Sequence, residues 1–398
     1  MRRGLSMLEE DVFFLSSALL GGVPGEVIRS RPLTGPAALS SASRNDLVLY
    51  RSTAVDGTPI AVSGIVALPS TPAPQDGYPL VSWAHGTLGL GDKCAPSRDS
   101  PELAERLPEH HRINQAPHVL LNALLEAGWA VAMTDYEGLG TRGVHPYLLG
   151  ESEAYGVLDI AVAARNLHPQ ISTRLAVVGH SQGGQAALFA GHHAPTRTPG
   201  LDLCAVAALA PASHIKDDVL AGSRYSGTTP GLAFTPMLLT GAIIGSTAGA
   251  TADDTAIDAR QVLTDRAYEL FESSGDRCRV ELSTTELWGG IPGTEQFRGD
   301  LAGDPNPHQR EFLRQLDLTN PALTAPAPVR ISHAQKDTRV AIAHTNRLVP
   351  ELAALGNDIT YRIHPTTADA GTLGPHFGLL TTDTPELLQW LHRHVTAA

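Results

Sequence analysis

The chain has 398 residues, 42% hydrophobic and 18% charged, which suits a sizeable core and excludes wholesale disorder. Its 29 Lys and Arg stand against 41 Asp and Glu, a formal charge of −12 that excludes a broad basic face for nucleic acid. Three Cys are too few for a disulfide scaffold and lack metal-ligand spacing.

Met1-Arg2-Arg3 has the charge of a signal-peptide start, but Glu9, Glu10 and Asp11 precede the short apolar run 12–20. That order and the lack of a small-residue cleavage site argue against a leader. As written the chain reads as cytoplasmic, and as secreted if it is a trimmed mature form. Residues 1–45 form a lead-in without strong periodicity. Strands are predicted at 47–50, 60–68 and 79–84, the first two as an antiparallel hairpin around Asp56-Gly57. From there helix and strand patterns alternate: helix 119–127, strand 129–134, helix 153–166, strand 175–178, helix 185–191, strand 204–209. The last three strands are nearly continuous apolar runs, as in a parallel sheet covered on both faces.

Between 211 and 327 the alternation stops. This block carries a charged helix-like run, 255–272, and an uncharged stretch, 225–252. The stretch is long enough to cross a bilayer, which takes about 20 apolar residues, but Gly, Ser, Thr and Pro interrupt it throughout. Alternation resumes with strand 329–332, helix 340–355 (broken or kinked at Pro350), strand 359–363 and helix 387–394. Arg330 and Arg362 place the two late strands near an edge. The expected organisation is a lead-in (1–45), the first part of an α/β core (46–210), an inserted cap (211–327) and the second part of the core (328–398).

Gly179-His180-Ser181-Gln182-Gly183 matches G-x-S-x-G. The run before it, Leu175-Ala176-Val177-Val178, is a buried-strand pattern, and Gln185-Ala186-Ala187-Leu188 after it favours helix. Strand, sharp turn and helix are the setting of a nucleophile elbow, with Gly179 and Gly183 where the two elements pass too closely for side chains. A serine hydroxyl needs a base, and the base an orienting acid. In the order Ser, acid, His, the candidates are Asp337, just past strand 329–332, and His376, past strand 359–363. His376 is favoured over His364 as the base because it is expected to hang from a loop; Asp358 and Asp369 are weaker acids by position. The remaining His residues, including His110-His111 and His192-His193, read as surface. The oxyanion donors expected are the amide of Gln182 and one from Ala84-His85-Gly86-Thr87, from Gly86 or Thr87.

The chain resembles the secretory lipase family of α/β-hydrolases. The matching stretches are residues 24–31, His85-Gly86-Thr87 with Asp92-Lys93-Cys94-Ala95-Pro96-Ser97, Asp135-Tyr136-Glu137-Gly138-Leu139-Gly140, His145-Pro146-Tyr147-Leu148 and the Ser181 elbow. The resemblance implies ester hydrolysis with Ser181, Asp337 and His376 as a triad. It also implies a helical cap before the Asp-bearing strand, with segment 225–252 either lining an acyl or apolar substrate pocket or packing as ordinary cap core. No metal or cofactor is called for, and the expected partner is a small-molecule ester with an apolar acyl group, not nucleic acid. The family is typically secreted, whereas this chain shows no clear leader, and Gln335-Lys336 replace the usual small residues before the acid. The resemblance suggests a Cys94–Cys278 bridge, leaving Cys204 alone in a buried strand; a cytosolic chain would keep all three reduced. Competing functions are acyl transfer or lactone processing, and non-catalytic binding on a hydrolase scaffold.

Overall fold

Nine strands form one sheet: β1 (Val27–Pro32), β2 (Ala42–Thr53), β3 (Pro59–Pro69), β4 (Tyr78–Ala84), β5 (Ala130–Thr134), β6 (Ile171–His180), β7 (Asp202–Leu209), β8 (Val329–Ala334) and β9 (Ile359–His364). The computed structural model describes residues 11–14, 21–248 and 256–395. Strand order is β1-β2-β3-β5-β4-β6-β7-β8-β9. The pairs from β1 to β5 are antiparallel, and all pairs from β5 onward are parallel. The expected hairpin is β2–β3, closed at Asp56-Gly57 where Ala54 N–H bonds the Thr58 carbonyl.

Strand β6 shows why the central strands read as unbroken apolar runs. Leu175 and Val177 join a cluster on one face, and Ala176 and Val178 join another on the opposite face. Both faces are covered, so neither set of side chains meets water. The first face packs on α4 (Gly150–Leu167), α5 (Gln182–Arg197) and α12 (Ile342–Ala354); the second packs on α3 (His118–Glu126) and α13 (Gly374–Val395).

Four features differ from expectation. Strand β1 lies inside the supposed lead-in; its sequence VIRSRP is mostly polar because it forms the exposed edge of the sheet. Short helices α1 (Pro101–Arg106) and α2 (Pro108–Gln115) occupy a stretch with no predicted element. Helix α12 continues through Pro350, and α13 begins at Gly374 rather than 387 and contains Pro385. Only Pro350 was expected to break or kink its helix; Pro375, in the first turn of α13, is compatible with helix. Strand β9 is the far edge and Arg362 is exposed, but Arg330 on β8 is buried in a double hydrogen bond to Asp383 at 2.5 Å, so its charge marks a buried pair rather than solvent.

Between β7 and β8 lie α6 (Ile215–Ser223), α7 (Thr235–Thr247), α8 (Ala259–Val262), α9 (Asp265–Glu272), α10 (Arg279–Leu282) and α11 (Pro307–Leu318). They share a core of their own that includes Met237, Leu239, Trp288 and Phe312. The uncharged stretch folds as a 3-10 turn (Pro230–Phe234) followed by α7, with 249–252 outside the described residues. The charged run divides into α8 and α9 because Thr264 caps α9, its hydroxyl accepting from Ala267 N–H; residue 255 and residues 15–20 also lie outside the described residues. No helix among the described residues is long and apolar enough to cross a membrane.

Cys94 and Cys278, 184 residues apart, form a disulfide, and Cys204 is free and half-buried rather than sealed in its strand. Gly89 pairs with Cys278 in an isolated antiparallel bridge, and Arg279 N–H bonds the Leu88 carbonyl. The bond therefore fastens α10 to the loop that follows β4.

Candidate active site

Strand β6 ends at His180 and α5 begins at Gln182, so Ser181 stands alone at the turn. Its φ of 61° and ψ of −119° are a backbone conformation that costs a non-glycine residue about 1–3 kcal/mol. Close packing holds it there. A Cβ on Gly179 would sit 1.9 Å from the Gly183 carbonyl oxygen, and one on Gly183 would sit 1.9 Å from that of Ala84. Ser181 N–H bonds the Leu209 carbonyl, tying the bend to β7.

Ser181, Asp337 and His376 line one cavity of about 540 Å³. Its apolar walls include Val219, Phe234, Leu238 and Phe297 from the block between β7 and β8, so part of the uncharged stretch faces the cavity. His376 lies in the first turn of α13 rather than on a loop, and its Nδ1–H donates to Asp337 Oδ2 at 2.6 Å. The side chains are 3% and 0% exposed, so water does not compete for this contact. Burial alone would raise the Asp337 pKa; His376, with the Arg339 and Val340 amides, holds it down at about 2.

Two further histidines brace the pair. The His180 ring lies 4.3 Å from that of His376, and its Nε2–H donates to the His376 carbonyl at 3.0 Å. Burial, then the electrostatic influence of the neighbouring imidazole, drives its pKa well below the usual value, so it stays neutral. His333 stands 3.6 Å from Asp337 Oδ2 and contacts Thr345 Oγ1 through Nδ1.

The loop after β4 runs against the elbow. A Cβ on Gly86 would lie 3.3 Å from the His180 carbonyl oxygen and 3.5 Å from Ser181 Cβ. Thr87 Oγ1 hydrogen-bonds Tyr147 Oη at 2.8 Å. Gln182 is in the first turn of α5, where amides have no intrahelical acceptor. Its side chain is fixed beneath the elbow, Nε2 donating to Glu153 Oε1 at 2.7 Å and contacting His145 Nε2 at 3.0 Å. Glu153 also accepts from Leu148 N–H, while its Oε2 has no partner among the described residues.

Sequence reasoning gave Glu153 no role and, although His145 lies in a stretch that resembles the family, read it with His180 and His333 as surface, whereas all three are buried. An acid in a helix's first turn reads as a solvated partner of the helix dipole, and only its complete burial shows otherwise. Burial raises its pKa to about 8, so it is neutral at pH 7 in the fold and ionised in the unfolded chain. The native state then holds the extra proton, and stability falls as pH rises from about 4.3 to about 8. Glu153→Gln is expected to flatten that decline by at least about 1 kcal/mol, measured as the difference in chemical-denaturation stability between pH 5 and pH 8.

The structure leaves other sequence candidates outside. His364 Nε2 bonds Asp383 at 2.8 Å, in the Arg330 cluster. Asp369 caps the Gly371 amide, and Asp358 is exposed ahead of β9. His110 is buried against Asn114 rather than at the surface, while His192 is exposed.

A serine held on a strand-turn-helix bend of a mostly parallel sheet, with a His–Asp pair in the same cavity, is the arrangement of an α/β-hydrolase. Comparison with known proteins narrows the class, and the resemblance to the secretory lipases holds: the model of that family matches residues 108–258. The chain is similar to a probable inactive lipase of Mycobacterium tuberculosis, 26% identical over 98% of this chain and 82% of that one. It is also similar to lipase A of Arthroderma benhamiae, 24% identical over 92% of this chain and 75% of that one. Among solved structures, the rice cell wall degrading esterase LipA of Xanthomonas oryzae shares the fold with a TM-score of 0.72 at 19% identity, over 93% of this chain and 100% of that one. Candida antarctica lipase A shares it with a TM-score of 0.68 at 19% identity, over 90% and 80%. The comparisons set the chain among carboxylic-ester hydrolases of the lipase and esterase kind.

Proposed function

We propose that the protein hydrolyses apolar carboxylic esters through an acyl-enzyme on Ser181. The observation that carries this reading is the 2.6 Å His376–Asp337 contact, shielded from water, in the cavity that Ser181 also lines. With Nδ1–H given to Asp337, His376 presents Nε2 to take the Ser181 proton as Oγ bonds to the ester carbonyl carbon. The amides of Gln182 and of Gly86 or Thr87 stabilise the oxyanion. Collapse breaks the ester bond, and the alcohol leaves with the proton from His376. Water, deprotonated by the same imidazole, then releases the acid. The block between β7 and β8 acts as the cap, and its apolar side chains receive the acyl group. The M. tuberculosis relative is described as inactive, but here serine, histidine and carboxylate are all present.

The Cys94–Cys278 bond supports secretion over the cytoplasmic reading, because cytosolic thiols are kept reduced. A p-nitrophenyl ester series from acetate to palmitate tests the function. Turnover is expected within the series, together with stoichiometric fluorophosphonate labelling at Ser181. No turnover and no adduct anywhere in the series would overturn it.

A further inference from the structure

The cavity is apolar at the cap side, yet two guanidinium groups, Arg279 and Arg339, line it together with Ser181. Arg279 follows Cys278 directly, so the disulfide and the bond from its amide to Leu88 fix where its side chain starts. That side chain is only 6% exposed. Its ion-pair partner is Glu109, at a long 3.4 Å and with a carboxylate 45% exposed. Arg339 stands at the exposed rim, its guanidinium 5.2 Å from the Phe377 ring centroid and in no ion pair among the described residues. Burial, then repulsion from Arg339, pulls the Arg279 pKa down to about 10, so it stays cationic at neutral pH.

The nearby carboxylates act on the two arginines only at a distance: Glu109 and Asp337 on Arg339, and Glu109 on Arg279. Asp337 is bound to His376, and Asp218 to His344 at 2.8 Å. This wall therefore presents two guanidinium groups of which one has only a long ion pair and the other none among the described residues. Holding a guanidinium away from water with one poor partner is costly, and a hydrocarbon chain laid on it would add to that cost. A planar anion would relieve it, because the guanidinium fork matches a carboxylate.

We propose that Arg279 and Arg339 form a carboxylate-binding wall of the active-site cavity, and that the preferred substrates are esters bearing a second, free carboxylate. The proposal rests on the ester-hydrolase reading above. The chemistry is the same whether the carboxylate is on the acyl or the alcohol part.

The test compares kcat/KM of the intact, oxidised protein for matched pairs: p-nitrophenyl hexanoate with mono-p-nitrophenyl adipate, and phenyl hexanoate with 4-(hexanoyloxy)benzoate. The adipate pair probes the acyl part and the benzoate pair the alcohol part. In one pair the carboxylated ester is expected to exceed its neutral counterpart by about tenfold or more. That ratio is expected to fall toward one in Arg279→Gln and in Arg339→Gln, and to recover in part with Lys at either position. Arg339 is exposed, so its variant carries the test if Arg279→Gln does not fold. Lys336→Gln, the same charge loss on a side chain that does not line the cavity, is expected to keep the ratio. Neutral esters turned over faster than both carboxylated ones, or a ratio unmoved by both Arg variants, would overturn the proposal while leaving the hydrolase reading intact. Calorimetric titration of adipate into Ser181→Ala protein gives a readout without turnover. Binding weakened tenfold or more by Arg339→Gln supports the wall, and no binding overturns it. Absence of both turnover and Ser181 labelling would instead remove the hydrolase reading.

Discussion

Alanine at position 181 is expected to lower kcat by about 10⁵-fold or more on any ester the protein accepts, the scale on which removing a triad serine acts. KM should change little, because the hydroxyl bonds to the substrate only as the reaction begins. The reason lies in what the bend provides: a hydroxyl raised above the sheet at φ 61° and placed in the cavity that also holds His376. Thermal unfolding of the variant should match the parent, since Ala carries the same Cβ. Steady-state kinetics with an active-site titration decides it. Residual activity within a hundredfold of the parent would show that another group makes the covalent bond.

The second large effect concerns shape rather than reactivity. Gly183→Ala places a methyl group 1.9 Å from the Ala84 carbonyl oxygen and 2.4 Å from its carbon. Those are backbone atoms at the end of β4, so no side-chain rotation relieves the clash. Strand and helix must part, and the displacement passes into His85-Gly86-Thr87. A stability loss of about 3 kcal/mol is expected, at the upper end for overpacking, with a greater than hundredfold fall in the rate of fluorophosphonate labelling. Gly200→Ala is the control: nothing lies within 4 Å of its Cβ, and stability should hold within about 0.5 kcal/mol. Denaturant unfolding of both variants measures the contrast.

The framework was legible where one physical signal dominated. Continuous apolar runs marked β5, β6 and β7 as doubly covered strands, and glycines on either side of Ser181 marked the close approach at which an added Cβ would lie 1.9 Å from a carbonyl oxygen. Long-range pairing was not legible. Strand β1 is stabilised by β2 rather than by its own pattern, and α13 begins where a Gly-Pro pair suggests a loop. His376 was the favoured base, but the argument that it hangs from a loop was wrong, since helix α13 carries it. Strands β8 and β9 do lie at one edge of the sheet, but the charge of Arg330 is buried because its partner Asp383, 53 positions away in sequence, was out of sight. Glu153 was silent and His145 read as surface for the same reason: their meaning comes from Gln182, which the fold brings to them.

The covalent tie between Cys94 and Cys278 joins two walls that come from distant parts of the chain. One carries the loop with Gly86 and Thr87, and the other starts the helix with Arg279. A thiol reagent would thus act on substrate choice as well as on durability: once cut, the Arg279 side of the wall is held to the elbow loop only by backbone bonds such as Arg279 N–H to the Leu88 carbonyl, while Ser181, His376, Asp337 and Arg339 keep their places. Protein made in a glutathione-rich host would then be a less discriminating catalyst than the same chain matured where sulfur is oxidised.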